Sequence, residues 1–428
     1  MIRLFHLALI FIVSCGCSGQ PQQVRPETVA KVDPRAAVKL QVLVVDDPNL
    51  AAGIKLLSGE WSERSGGELE VDSISLSEML KSEKLAADVI IYPSRQLGAL
   101  VAKKWLRPIR QTVLDSSELD YDDLLPVIRN QSMRLGNEIW ALPLGEMPLV
   151  LAWYGKVPDK LPRTWDQLDE LLLASGFSES EPMLRYPLAA EFISRVVSAT
   201  SPVDRAALFF DPETMDARLN QPQMVRALEQ PRDMDREDSE DVSFDWQVTL
   251  PPRKGELPRQ LSPLLIASET YNASIDRWEK PTENPPPVIC GFSGRLLSVT
   301  STSRNAASAF KLLPWLVGGN MGARLSQQSM ATLWFRHSQV SQAAKWLPAQ
   351  SATENASWLS KALSQQSPYL IPRLPGIEDY LTALEKALAE LPPAEALSTS
   401  ESEWNAITEA HGRQQQREAF RRHLGLPD

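Results

Sequence analysis

Histidine is the scarcest of the residues that carry chemistry, with four in 428 residues. His6, His337, His411 and His423 include no pair at metal-ligand spacing, so no zinc site and no metal is expected. A nucleophile elbow is missing as well: Gly291-Phe292-Ser293-Gly294 has the wrong spacing for one and suits a glycine bend between strands. With no Gly-rich, Lys-bearing loop to cradle phosphates, the chain is not expected to be an enzyme or to hold a cofactor. Lys and Arg form no cluster, and the formal charge is -10, which argues against a nucleic-acid partner. Three cysteines, Cys15, Cys17 and Cys290, build no disulfide framework. There is no internal repeat, and no apolar run is long enough to cross a bilayer.

What is present suits two domains, since 428 residues exceed one ordinary core and 43% of them are hydrophobic. At the amino terminus Arg3 precedes the apolar run Leu4 to Val13, which has the length of a signal peptide. Its end, Ile12-Val13-Ser14-Cys15, resembles a bacterial lipobox, so residues 1–17 are expected to be a lipoprotein signal and anchor, with Cys15 lipidated and Cys17 the second candidate. Acyl chains contribute about 0.8 kcal/mol per buried methylene, and more than one would hold the protein on a membrane. Residues 18–38, rich in Pro, Gln and charge, read as a tether.

Folding proper is expected from the strand Leu40 to Val45, ending at Asp46-Asp47. Leu50, Ile54, Leu57 and Trp61 then make one helical stripe closed by Ser65-Gly66-Gly67. The strand Leu69 to Ile74, a helix from Ser77 to Leu85, the strand Asp88 to Tyr92 and a helix from Ser94 to Lys104 follow. Three strand-helix units in succession imply a mostly parallel sheet, with ligands beyond the strands' carboxyl ends at Asp46, Asp47 and Ser94. Farther on, Ile139 to Leu142 and Leu149 to Tyr154 are short strands about a kinked middle, Pro143 to Glu146. Thr164 caps a helix beginning at Trp165. The mostly acidic run from Arg232 to Asp241 lacks a calcium-loop pattern and reads as a solvated loop.

The segment from Gly136 to Lys156, then Pro162-Arg163-Thr164-Trp165-Asp166-Gln167-Leu168, resembles the passage between lobes in the extracellular solute-binding proteins of ABC transporters (family 1, the sugar-binding lipoprotein type). Ala87-Asp88-Val89-Ile90, Leu106-Arg107-Pro108-Ile109 and the return passage Val288 to Asn305 are similar to that family in order and spacing. The likeness covers roughly Leu40 to Leu424. It implies an α/β, two-lobed periplasmic-binding-protein-like fold (type II), each lobe a mostly parallel sheet flanked by helices, with a cleft between the lobes. Residues 39–145 plus 292–340 would form the first lobe and 146–291 plus 341–428 the second. Pro143 to Leu149 and Val288 to Ser298 would serve as hinges.

The same resemblance implies an extracytoplasmic, membrane-anchored monomer that captures a small polar ligand, a sugar, for ABC permease subunits. The 12 Trp in the chain, against 7 Tyr, suit such cargo, because sugar faces pack on rings while hydroxyls bind carboxylates and guanidinium groups. Ligand contacts are expected from Asp46, Asp47, Ser94, Glu146, Tyr154, Tyr271, Trp278, Phe292, Trp334 and Arg336. The alternative keeps the fold as a surface lipoprotein with a sensory or interaction role and no transported cargo. The absent Asn at Gly155, the absent Gly-x-Ala-Ala-Met phrase and the absent Pro near Arg336 motivate it.

Overall fold

A computed structural model of the chain describes residues 38–174, 188–229, 246–252, 257–281, 285–348, 351–365 and 368–427. Cys15, residues 18–37 of the tether and the acidic run 232–241 lie outside them. In chain order the main elements are β1 (Lys39–Val45), α1 (Pro48–Leu56), α2 (Ser58–Ser65), β2 (Glu68–Ile74), α3 (Leu76–Lys81), β3 (Val89–Pro93) and α4 (Leu97–Ala102). Two strands, β4 (Leu142–Gly145) and β5 (Val150–Trp153), lead to α5 (Trp165–Ala174), α6 (Leu188–Ala199) and α7 (Pro222–Glu229). Short strands follow: β6 (Trp246–Thr249), β7 (Gln260–Ser262), β8 (Thr270–Asn272), β9 (Arg277–Glu279), β10 (Ile289–Cys290) and β11 (Arg295–Val299). The rest is α8 (Ala306–Val317), α9 (Gly319–Ser326), α10 (Ala352–Leu363), β12 (Tyr369–Leu370), α11 (Ile377–Glu390), α12 (Pro393–Ala410) and α13 (Arg413–His423).

The first lobe is built on a five-stranded sheet in the order β2-β1-β3-β11-β4. Its first three strands run parallel because each is joined to the next by a helical crossover. β3, covered on both faces, reads Val-Ile-Ile-Tyr and is wholly buried. β11 enters antiparallel between β3 and β4, so the sheet is mixed. The stripe expected as one helix is broken at Leu57 into α1 and α2, and Gly66 closes the second in the left-handed region at φ 69°.

The second lobe holds a three-stranded sheet, β6-β5-β7, with α6, α7 and α12 around its own core. Both pairings are antiparallel, which departs from the parallel order expected there. Thr164 caps α5 as expected, accepting the Gln167 amide at 3.1 Å. Arg195 of α6 is buried against Asp169 of α5, at 3.1 and 3.2 Å, and against Glu191 at 2.9 Å. Its guanidinium lies over the Trp165 ring, 4.4 Å from the centroid, and fixes the two helices to each other.

Three segments pass between the lobes. Residues 146–149 and 291–294, within the hinge segments 143–149 and 288–298, each join an element of one lobe to an element of the other, and the chain changes lobe again between α10, which ends at Leu363, and β12, which begins at Tyr369. Residues 341–363 stay with the first lobe: Trp346, Leu359 and Leu363 are in its core, and Trp334 Nε1 donates to Ser360 Oγ of α10 at 3.2 Å. The second lobe therefore resumes at β12, beyond the boundary at 341 expected from the sequence. Among the described residues no helix is long and apolar enough to cross a membrane.

Candidate functional site at the interlobe crossover

The carboxyl ends of β1 and β3 meet the crossing segments in one polar cluster. Asp47 ends β1 as the N-cap of α1, accepting the Leu50 amide at 3.1 Å. Its other oxygen accepts Arg295 Nε at 3.1 Å and the Ser329 hydroxyl. Arg295 also donates to the Asp46 carbonyl at 3.0 Å and the Gly294 carbonyl at 3.1 Å. Asp46 is held at φ 53°, with one oxygen accepting the Leu76 amide at 2.9 Å, and remains exposed. From the end of β3, Ser94 donates its hydroxyl to the Ser293 carbonyl at 2.9 Å.

Arg95 and Gln96 reach the other lobe. Arg95 Nε pairs with Glu378, in the first turn of α11, and its Nη1 donates to the Phe292 carbonyl at 2.7 Å. Gln96 Nε2 donates to the same Glu378 oxygen at 2.7 Å. Arg95, Glu378 and the Phe292 ring are all partly exposed. They form a half-open mouth above a buried floor.

Glu146 is that floor, 1% exposed in the first crossing segment. Its carboxylate accepts the Gly291 amide at 3.2 Å and the Ser132 hydroxyl at 3.4 Å. Gly294, at φ 120°, leaves no room for a side chain here: a Cβ would stand 2.7 Å from a Glu146 oxygen. Burial pushes the Glu146 carboxyl up to about 7, against the opposing pull of Gly291, Ser94, Ser132 and Arg373. Arg373 is the nearby buried cation, pushed down to about 10 by burial and held up by Glu146. It donates to the Ser132 carbonyl at 3.0 Å and the Arg134 carbonyl at 2.6 Å, both in the first lobe.

A carboxyl whose folded pKa lies above its ordinary 4.5 is penalised when it ionises. This group's contribution is complete below about 4.5 and is lost as pH rises to about 7, a change of roughly 3 kcal/mol. Urea unfolding across this range is expected to show the native protein losing stability relative to Glu146→Gln as pH rises. Parallel pH profiles would contradict the assignment.

No protein-family model matches the sequence, and no curated protein does. Solved structures do match. A solute-binding protein of an ABC transporter from Agrobacterium radiobacter K84, in complex with ribitol, is 18% identical with a TM-score of 0.59, over 86% of this chain and 98% of that one. The sugar-binding protein MalE from Xanthomonas citri is 12% identical at TM-score 0.62, over 89% and 100%. The cyclic alpha-maltosyl-1,6-maltose binding protein from Arthrobacter globiformis is 13% identical at TM-score 0.62, over 87% and 100%. The chain has the two-lobed fold of ABC-transporter sugar-binding proteins.

Within that binding-protein fold, the structure brings Asp46, Asp47, Ser94, Glu146 and Phe292 to one place. Tyr154, at the end of β5, is half-buried and packs toward the first-lobe core. Tyr271 and Trp278 face each other across the β8–β9 hairpin, ring centroids 5.6 Å apart. The Tyr271 hydroxyl donates to Asp276, and Arg226 of α7 lies over Trp278, so this pair belongs to a separate corner of the second lobe.

Trp334 and Arg336, expected at the ligand, are core residues, both 0% exposed. Trp334 packs edge-on to Trp346, and Arg336 donates to the carbonyls of Leu119, Asp120 and Val317. These partners leave neither a ring face nor a guanidinium edge for cargo. Arg95 and Gln96 follow Ser94 directly and were accessible to the strand-end argument. Glu378 and Arg373 had no local signal, because contacts more than 200 residues apart in sequence bring them to the site.

Proposed function

We propose that the chain is a lipid-anchored, extracytoplasmic solute-binding protein that captures a sugar or polyol between its lobes and presents it to an ABC transporter. One observation carries this reading: Arg95 and Gln96 of the first lobe meet Glu378 of the second beside the half-exposed Phe292 ring. A polyol offers C–H groups to such a ring and adjacent hydroxyls to a guanidinium and a carboxylate. Asp46 would complete the mouth, while Asp47, Ser94 and Glu146 set its shape. The ribitol and maltosyl-maltose named for the similar structures are cargo of this class. Cys15 would supply the anchor.

Closure then needs only that ligand contacts be better with the lobes together than apart. A panel of ribitol, mannitol, maltose and maltotetraose is expected to contain a ligand that raises the melting temperature and compacts the protein in solution scattering. Arg95→Ala and Glu378→Ala should each weaken it by about 2 kcal/mol, the value of a charge-assisted hydrogen bond. No melting shift with any member would end the sugar reading.

A second reading, a sensory or interaction lipoprotein without cargo, is favoured by one feature. The lobes already bond to each other directly, through Arg95 and Glu378, through Arg373, and through the Gly136 amide to the Arg422 carbonyl at 2.9 Å. A silent ligand panel together with unchanged scattering on Arg95→Ala would select it.

A further inference from the structure

A second interlobe groove, of about 890 Å³, is lined by none of Arg95, Gln96, Phe292 and Glu378. Four cations line it: Arg134 and Lys361 from the first lobe, Arg205 and Arg373 from the second. Among the described residues no carboxylate lines it. In a chain of formal charge -10, a concave wall of one sign concentrates small anions against the overall field.

The four cations are not equivalent. Arg373 donates to the Ser132 and Arg134 carbonyls and faces His423, so it brings charge and few free donors. Arg205 donates Nε to the Thr200 carbonyl at 3.1 Å and leaves Nη2 buried with no acceptor. Arg134 and Lys361 form no side-chain hydrogen bond or ion pair among the described residues. The remaining wall is largely apolar, with Pro286, Tyr369 and Leu424.

We propose that this groove binds a small organic phosphate. The phosphoryl group accepts from Arg205, Arg134 and Lys361, and the organic part lies against Pro286 and Tyr369. A phosphate monoester carries a charge of about -1.5 to -2 and three acceptor oxygens, which suits donors arriving from different elements. A single carboxylate has one charge and a planar pair of oxygens. Because the donors come from both lobes, the bound anion stabilises the arrangement in which they face each other. Occupancy of the groove and occupancy of the mouth therefore change each other's affinity. The proposal stands whether or not the mouth takes a sugar.

Calorimetry on the full chain with glucose 6-phosphate, inorganic phosphate and glucose, at low and at high salt, tests it. Glucose 6-phosphate is expected to bind, more weakly in high salt, and more tightly than inorganic phosphate. Arg205→Gln and Lys361→Gln should each reduce its affinity about tenfold, a typical loss for one charged hydrogen bond. Lys361 is exposed, so its variant separates lost binding from lost folding. Loss of glucose 6-phosphate binding in Arg95→Ala, with affinity untouched by Arg205→Gln and Lys361→Gln, would move the ligand to the mouth and overturn the assignment. So would the absence of binding at millimolar concentration, equal affinity for the ester and inorganic phosphate, or affinity untouched by both groove variants.

Discussion

Replacement of Arg373 by leucine is expected to destabilise the protein by roughly 2 to 5 kcal/mol, about 1 to 3 kcal/mol for each of the two buried carbonyls left without a donor. The side chain is 3% exposed and joins the lobes by donating to the Ser132 and Arg134 carbonyls. Its loss strands those two acceptors and withdraws the positive charge that opposes desolvation of Glu146. Two effects thus act on one carboxyl: the Glu146 pKa should climb above about 7, and stability should fall most steeply on the alkaline side. Glu146→Gln in the same chain removes the charge that needs compensation and is expected to restore a part of the loss. A double-mutant cycle from urea unfolding measures that coupling. Strictly additive losses would show that the two groups do not interact.

Gly98→Ala is expected to be nearly as severe for a different reason. A Cβ at this position in α4 would stand 1.7 Å from the Arg373 carbonyl oxygen, where the obstacle is backbone. Nothing flexible can give way, so the contact between α4 and the segment preceding α11 must part. Overpacking of this kind costs about 3 kcal/mol. Here part of the strain has an outlet, since Arg373 belongs to the other lobe and separation relieves the clash. Solution scattering of the variant should show a larger radius of gyration, and ligand binding at the mouth should weaken by more than about tenfold. An unchanged radius would mean that the strain is absorbed within the first lobe.

Much of this architecture was legible in the sequence. The alternation and apolar runs of β1 to β3, the Gly66 stop and the Thr164 cap are local signals, and local chemistry enforces them. The strand ends at Asp46-Asp47 and Ser94 pointed to the crossover because a parallel sheet places its loops there. The failures are long-range. Trp334 and Arg336 match a family phrase in type and order, yet the carbonyls that bury Arg336 come from Leu119, Asp120 and Val317. α10 packs with the first lobe although the expected boundary at 341 gives it to the second, because a helix that buries one face does not show locally which lobe receives it. Glu378 was invisible for a related reason: acidic residues are common in the first turn of a helix, where the dipole favours them.

The position of β11 bears on how the protein is made. β4 ends at Gly145 and β11 begins only at Arg295, yet β11 must slot between β3 and β4 before the first sheet is continuous. A nascent chain that has delivered its first four sheet strands still exposes the inner edges of β3 and β4, and the second lobe intervenes before the missing strand appears. Non-local pairing of this order slows folding and leaves the edges open to mispairing. The first sheet thus stays unfinished until the chain beyond the second lobe's strands has been made.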